Sequence, residues 1–363
     1  MLVSSSFFPL VFCLSSVFAS SSKVNLPTSS PRQSYDIPLW QSQNFSCRGS
    51  PNAYTIQQSP GKGLGVFATH TLEPGTIIFR EAPIILIHPP EFLDGVGYPL
   101  SGISQQVRHA FNALPLDKKS EVLGLTAHYT STEVEQERED EDNLVPIFRS
   151  NAYNSGAQIG LYPKIARINH ACRPNTSYFW SQRLGKLVAY ASQRIEEGEE
   201  LSTTYIPLLH THEDRGKRLD QYGFKCGCAA CALNKDEKIA SDQRRIDIRQ
   251  AFAVLNPHLN LNIPQSKSGK QKARERAESS LQLVKTVEKE ELADYYAQIY
   301  RIAAILHART EDWKPATQFA HKSYQIYSMA DEQSEQTMEM QALTSRFIQS
   351  WNDDLRKKAM LKS

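Results

Sequence analysis

Cys226-Gly227-Cys228-Ala229-Ala230-Cys231 places three thiols within six residues, and nothing else in the chain restricts the fold as sharply. Burying three neighbouring thiols without a shared partner has no evident packing purpose. The Cys-x-Cys-x-x-Cys spacing reads as a metal site rather than a disulfide framework. Three thiolates cannot close a tetrahedral zinc site, so a fourth ligand must come from elsewhere in the chain. Cys172, His170, His210, His212 and Cys47 are the candidates.

The chain has 363 residues, enough for two domains with their own cores. Its six cysteines are too few and too clustered for a disulfide scaffold of that size. Cys13 lies in an apolar leader, and Cys47 stands alone and reads as an unpaired thiol. A formal charge of +2 gives no bulk electrostatic case for nucleic acid or a membrane surface, so no nucleic-acid partner is expected. Beyond the N-terminus no apolar run approaches the roughly 20 residues of a spanning helix.

Residues 1–19 are apolar and rich in small side chains, with Val17-Phe18-Ala19 offering a cleavage pattern and serines following. This reads as a secretory signal peptide without the usual positive start. The sequon Asn44-Phe45-Ser46 agrees with secretion, whereas a thiolate metal cluster suits a reducing compartment. Two destinations therefore stand: the secretory pathway if the leader is cleaved, otherwise cytoplasm or nucleus. Residues 20–52, rich in Ser, Pro and Gln, read as a flexible lead-in.

From Tyr54 to His88 short apolar runs bounded by Pro and Gly predict strands, among them Val66–Ala68, Thr76–Phe79 and Ile84–Ile87. Residues 89–146 interrupt them with helical spacing at Val107, Phe111 and Leu114, and Pro115 opens a second segment. The acidic run 133–142 reads as a solvated, disordered segment, with a docking site for basic substrate tails as the alternative. β character is expected to return from Ile147 to Ile206. Past Cys231 the texture turns helical over residues 240–355, with a break at Pro264–Gly269. Leu292, Tyr295, Tyr296, Ile299, Ile302, Ala303 and Leu306 form one apolar stripe, and Trp313, Ala316, Phe319, Ala320 and Tyr324 the next. The short link between them predicts an antiparallel pair, tetratricopeptide-like but without a clean 34-residue repeat.

Four stretches carry chemistry. In Gly61-Lys62-Gly63-Leu64-Gly65-Val66-Phe67-Ala68 the glycines allow close backbone approach to a ligand. Arg167-Ile168-Asn169-His170-Ala171-Cys172-Arg173-Pro174-Asn175 sets an amide, an imidazole and a thiol side by side. Gly198-Glu199-Glu200-Leu201-Ser202-Thr203-Thr204-Tyr205 is a turn running into a short β segment that ends on a tyrosine. The fourth is the Cys226–Cys231 triplet, with Tyr222 and Phe224 just before it.

Taken in this order, the four stretches resemble the SET-domain protein methyltransferases over about residues 54–231. The resemblance implies an α+β fold: a β-rich SET domain over 53–206 with its helical insertion, a one-zinc post-SET flank over 207–235, and an all-α C-terminal domain. It implies cofactor contacts to S-adenosylmethionine from Lys62, Gly63, Leu64, Asn169, His170 and Phe224. It also implies a catalytic tyrosine at Tyr205 and a lysine channel lined by Tyr205 and Tyr222. It supplies Cys172 as the fourth zinc ligand beside Cys226, Cys228 and Cys231, which pins the flank over the central motif. Ala171 stands where the family usually has serine, removing one hydroxyl. Asn175-Thr176-Ser177 is formally a sequon, but a glycan inside this motif would disrupt it.

The helical tail makes the resemblance one to the SET-and-MYND proteins and to fungal SET proteins. A second Cys/His cluster for a MYND finger is missing, so any partner recognition by that finger is not carried over. The implied activity is methyl transfer to a protein lysine, histone or non-histone, by a monomer. The rival reading is a catalytically silent SET module acting as a scaffold through its helical tail.

Overall fold

The structure, a computed structural model, describes residues 53–91, 100–128 and 143–361. The leader, the lead-in with Asn44 and Cys47, and the acidic run 133–142 lie outside the described residues. Strands β1 (Tyr54–Ser59) and β2 (Gly63–Ala68) form an antiparallel hairpin turned by Gly61 and Gly63, whose φ values of 74° and 76° are left-handed. The free edge of β2 takes up the segment before Tyr205: Leu201 N–H donates to the Val66 carbonyl at 2.8 Å, and Ala68 N–H to Glu199 at 3.0 Å.

Strand β3 (Ile77–Glu81) pairs antiparallel with a later strand, Lys186–Ala191, whose other neighbour is Thr176–Ser181. Strand β4 (Ile85–Ile87) leads into the insertion, helices α1 (Leu100–Asn112), α2 (Leu116–Leu123) and α3 (Leu144–Asn151). Val107, Val122, Ile147 and Phe148 bury a shared face against Ile85 and Ile159. At about 25 cal/mol per Å² of apolar surface, such a face is what keeps short helices folded.

One expectation is corrected here. β character returns at Ala152, not Ile147, because Leu144–Phe148 are helical. Pro146 sits in the first turn of α3, where its missing N–H is not needed, so a strand-like apolar run becomes a buried helix start. Strands β5 (Ala152–Ser155) and β6 (Gln158–Leu161) follow and complete a sheet of order β4-β6-β5.

The central motif supplies a two-residue strand β7 (Asn169–His170). It runs parallel to β10 (Ser202–Thr203), with β8 (Thr176–Ser181) and β9 (Lys186–Ala191) between them in the chain. Two short helices follow, α4 (His212–Leu219) and α5 (Ala229–Ala232), the latter carrying Cys231.

Beyond it lie five helices: α6 (Lys235–Leu255), α7 (Lys267–Lys289), α8 (Tyr296–Ala308), α9 (Trp313–Ala330) and α10 (Glu335–Met360). Ser266 caps α7 by accepting from Gly269 N–H at 3.0 Å, so the break ends at Ser266 and Gly269 belongs to the helix. Ile299, Ile302, Leu306, Ala316, Ala320 and Phe347 share the core of this helical region. Leu208, just past β10, is buried in the same core and ties the two regions together. Met329 of α9 sits where a Cβ on Gly75 would fall, 2.9 Å from its Cγ, so the helices reach the turn before β3.

Candidate active site

The parallel pairing of β7 with β10 puts the Asn169-His170 stretch beside the Ser202–Tyr205 segment, although more than thirty residues separate them. Tyr205 is anchored at both ends. Its N–H donates to His170 Nδ1 at 3.1 Å, and its hydroxyl donates to the Ile168 carbonyl at 2.8 Å. Burial, with the Glu200 charge, pushes the Tyr205 phenol above its ordinary value, so it stays protonated at neutral pH.

Burial holds the His170 ring down, to about 4, and so neutral. Because Nδ1 accepts from Tyr205, the ring proton belongs on Nε2, which faces the Cys172 sulfur at 3.4 Å. Tyr222 and Phe224 close the same cluster. The ring of Tyr222 lies 5.2 Å from that of Tyr205, and Phe224 meets it edge-on at 6.3 Å and 88°. The Tyr222 hydroxyl donates to the Tyr205 carbonyl at 3.2 Å. Left-handed Gly223, φ 76°, turns the chain between these two rings.

A second convergence lies at the glycine loop. Lys62 Nζ is 2.8 Å from Glu200 Oε2, and Asn169 Nδ2 donates to Glu200 Oε1 at 2.7 Å and to the Leu64 carbonyl at 3.2 Å. Burial alone would raise the Glu200 carboxyl. Hydrogen bonds from Lys62, Asn169 and Ser59 outweigh it and hold the group below its ordinary value. Gly65 permits the approach, since a Cβ there would stand 2.6 Å from Glu200 Oε1. Lys62 and Asn169 both spend these donors on Glu200, so a carboxylate-bearing ligand such as S-adenosylmethionine would need Lys62 to turn from Glu200 or would use the backbone of the glycine loop. Lys62, Gly63 and Leu64 are exposed, so their surface is open to one.

The sulfurs of Cys172, Cys226, Cys228 and Cys231 all lie within 4.8 Å of one another, and all four thiols are unpaired. Cys172 and Cys231 stand 3.6 Å apart. Four sulfurs bonded to zinc at about 2.3 Å would be roughly 3.8 Å apart, so the donor set fits that metal. His170, His210 and His212 are not part of the cluster, which removes them as the fourth ligand; Cys47 is outside the described residues.

A cleft of about 650 Å³ opens between β8, β10 and the helical region, lined by Ser177, Tyr178, Thr203, Thr204, Asp294 and Tyr327 among others. Thr203 and Thr204 lead directly into Tyr205. Ser177 Oγ donates to Asp294, whose carboxyl burial pushes up to about 6, with the serine bond partly opposing. Asn175 is 8% exposed and bonded through both ends of its amide, to Glu199, the Glu200 carbonyl and Ser202 N–H. A buried amide used this fully accepts no glycan.

The sequence did not single out Glu200, Ser177 or Asp294. Glu200 stands in a quoted stretch and is the residue on which Lys62 and Asn169 converge. Asp294 lies at the start of an apolar stripe, with no local signal that it faces β8.

Residues 63–206 match the SET domain family. The chain is 33% identical over 199 residues to histone-lysine N-methyltransferase set5 of Schizosaccharomyces pombe, covering 53% of this chain and 54% of that protein. It is 25% identical over 206 residues to human N-lysine methyltransferase SMYD2, covering 52% and 47% respectively. It is 38% identical over 98 residues to human histone-lysine N-methyltransferase SMYD3, covering 26% and 22%. The chain thus spans about half, or less, of the curated relatives it matches.

Proposed function

We propose that this protein transfers a methyl group from S-adenosylmethionine to a lysine side chain of a protein. The observation that carries the proposal is the meeting of His170, Tyr205, Tyr222 and Phe224 in one aromatic cluster, with the glycine loop's ligands on Asn169 and the cleft on Thr204. Relatives named as protein-lysine methyltransferases support the reading. No observation favours the silent scaffold.

S-adenosylmethionine, when bound, supplies a sulfonium-activated methyl group. The residues that would hold it are Lys62, Gly63 and Leu64 of the loop, with Asn169, His170 and Phe224. Tyr205, Tyr222 and Phe224 shape a narrow aromatic entrance whose ring faces attract a cationic amine and exclude water. Exclusion of water favours the neutral lysine, whose lone pair is the nucleophile. Tyr205 keeps its own proton, committed to Ile168, so it orients the amine through its oxygen rather than acting as a base. Cys172, Cys226, Cys228 and Cys231 would hold one structural zinc that fixes the Phe224 side of the entrance.

The test is direct. The protein is incubated with radiolabelled S-adenosylmethionine and cell extract, and labelled bands are sequenced. Label on lysine is expected; no protein label under any condition would return the scaffold reading.

A further inference from the structure

Beside the four sulfurs stand two arginines with almost no access to water: Arg245 is 0% exposed and Arg215 is 1% exposed. Each guanidinium nitrogen of Arg245 has a partner. Its Nη2 donates to the Cys172 carbonyl at 2.9 Å, Nη1 to the Leu208 carbonyl at 2.6 Å, and Nε to Glu290 Oε1 at 2.9 Å. In Arg215 this is not so. Its Nη1 donates to the His210 carbonyl at 2.6 Å, but its Nε is buried with no hydrogen-bond partner. The nearest carboxylate, Asp242, is 3.7 Å away and 24% exposed.

The local charges do not balance. Glu290, 0% exposed, is shared among Arg245, Arg244 and Arg173 at 2.9, 2.8 and 3.4 Å. Arg215 and Arg245 also repel one another. Arg173 also meets exposed Glu291 at 3.3 Å, but the remaining guanidiniums around one buried carboxylate still leave a positive surplus, and a buried charge is costly unless an opposite charge offsets it. The groups in place to do so are the sulfurs: Arg215 lies against the Cys172 side chain, and Arg245 Nη2 is bonded to the carbonyl of the same residue.

We infer that Arg215 and Arg245 are the counter-charges of a tetrathiolate zinc centre at Cys172, Cys226, Cys228 and Cys231. The inference rests on the zinc reading given above. A divalent ion held by four thiolates carries two formal negative charges, which two guanidiniums match. Away from water such attraction is only weakly screened. Arg245 adds a mechanical link, since one guanidinium joins the Cys172 backbone to Glu290 at the end of α7. The centre therefore holds the helical region as well as the post-SET flank.

The experiment titrates zinc out of the full-length protein with a chromophoric chelator, after zinc per chain has been measured in the wild type. Arg215→Gln is expected to lose zinc at a roughly tenfold lower chelator concentration or less, on the scale of partners that orient metal ligands. Arg215→Lys, which keeps the charge, should stay much closer to wild type. Asp242→Asn supplies an independent arm with the opposite sign. It preserves the acceptor for His212 N–H, at 2.7 Å in the wild type, but removes the carboxylate that competes for Arg215. It should hold zinc about twofold to threefold more tightly, and it decides the matter should Arg215→Gln fail to fold. Zinc in the wild type with unchanged titrations in Arg215→Gln and Asp242→Asn overturns the counter-charge role alone. No zinc in the wild type overturns the metal reading and this inference together.

Discussion

The backbone N–H of Tyr205 donates to His170 Nδ1 at 3.1 Å, while the other nitrogen of the same ring faces the Cys172 sulfur at 3.4 Å. One neutral imidazole thus joins the proposed catalytic tyrosine to a proposed metal ligand. Its chemistry is positional, since burial keeps it uncharged at any physiological pH. His170→Ala should leave the Tyr205 N–H without its acceptor and a hole beneath the aromatic cluster. Turnover should fall roughly tenfold to a hundredfold through kcat, the scale of a misplaced reacting group. An unchanged kcat in steady-state assays would show that Tyr205 is held well enough by Ile168 alone.

Zinc is expected at one ion per chain. The four sulfurs come together from two segments more than fifty residues apart, and Cys172 N–H also points at the Cys228 sulfur at 3.4 Å. Elemental analysis of the purified protein should give a ratio near one, and a Cys226→Ala, Cys228→Ala double variant should retain none. Full retention in the double variant would assign the metal to some other site.

Gly65→Ala tests the glycine loop. The added Cβ would meet Glu200 Oε1 at 2.6 Å, Ser59 Cβ at 3.0 Å and Asn169 Nδ2 at 3.1 Å. Asn169 and Glu200 must shift, and Lys62 with them. Affinity for S-adenosylmethionine, read by calorimetry, should drop about tenfold or more, the worth of roughly one displaced hydrogen bond to a charged group. The thermal midpoint should move little, since β2 itself can take an alanine. Wild-type affinity would place the cofactor away from this loop.

How much of this was legible beforehand depended on how local each feature was. The cysteine triplet, the Asn-His stretch and the Tyr205 segment could be read because each is compact in the chain. The apolar stripes of α8 and α9 repeat at helical spacing and form the antiparallel pair they predicted, although Leu292 and Tyr295 of the first stripe precede α8. The start of α3 was misread because Val145, Ile147 and Phe148 are strand-formers and only Pro146 argued otherwise. The Arg245–Glu290 pair had no signature at all. Its partners are 45 residues apart on polar helices that look solvated, and only packing of α6 against the end of α7 buries them.

Asp294 sets a pH dependence of definite sign. Its folded carboxyl is pushed up to about 6, from an ordinary 3.8, by burial. The folded state therefore keeps its proton where an unfolded chain has lost it. That contribution to stability is fully present below about pH 3.8 and is lost as pH rises through 6. The thermal midpoint should therefore fall as pH rises from 5 to 7. Asp294→Asn should flatten this part of the midpoint profile. An identical profile in the variant would remove Asp294 as its source.

Tyr205→Phe should abolish turnover and leave cofactor affinity nearly intact. A free lysine has a pKa of about 10.4, so at neutral pH a proton almost always occupies the lone pair that methyl transfer needs. The site must favour the neutral amine and then aim it along the sulfur–methyl bond. Half-buried Tyr222 and Phe224 beside Tyr205 serve the first task by displacing water. Tyr205 serves the second: its hydroxyl is fixed by donating to Ile168, which leaves the oxygen aimed as an acceptor. Deleting that oxygen removes the fixed acceptor without creating a large cavity. The loss should be roughly a hundredfold or more in kcat, the scale of one preorganised polar group at a reacting centre. Lys62, Asn169 and Phe224 remain, so binding of S-adenosylmethionine by calorimetry should barely change. A variant as fast as wild type would show that the tyrosine packs the entrance and does not aim the amine, even with the reaction class intact.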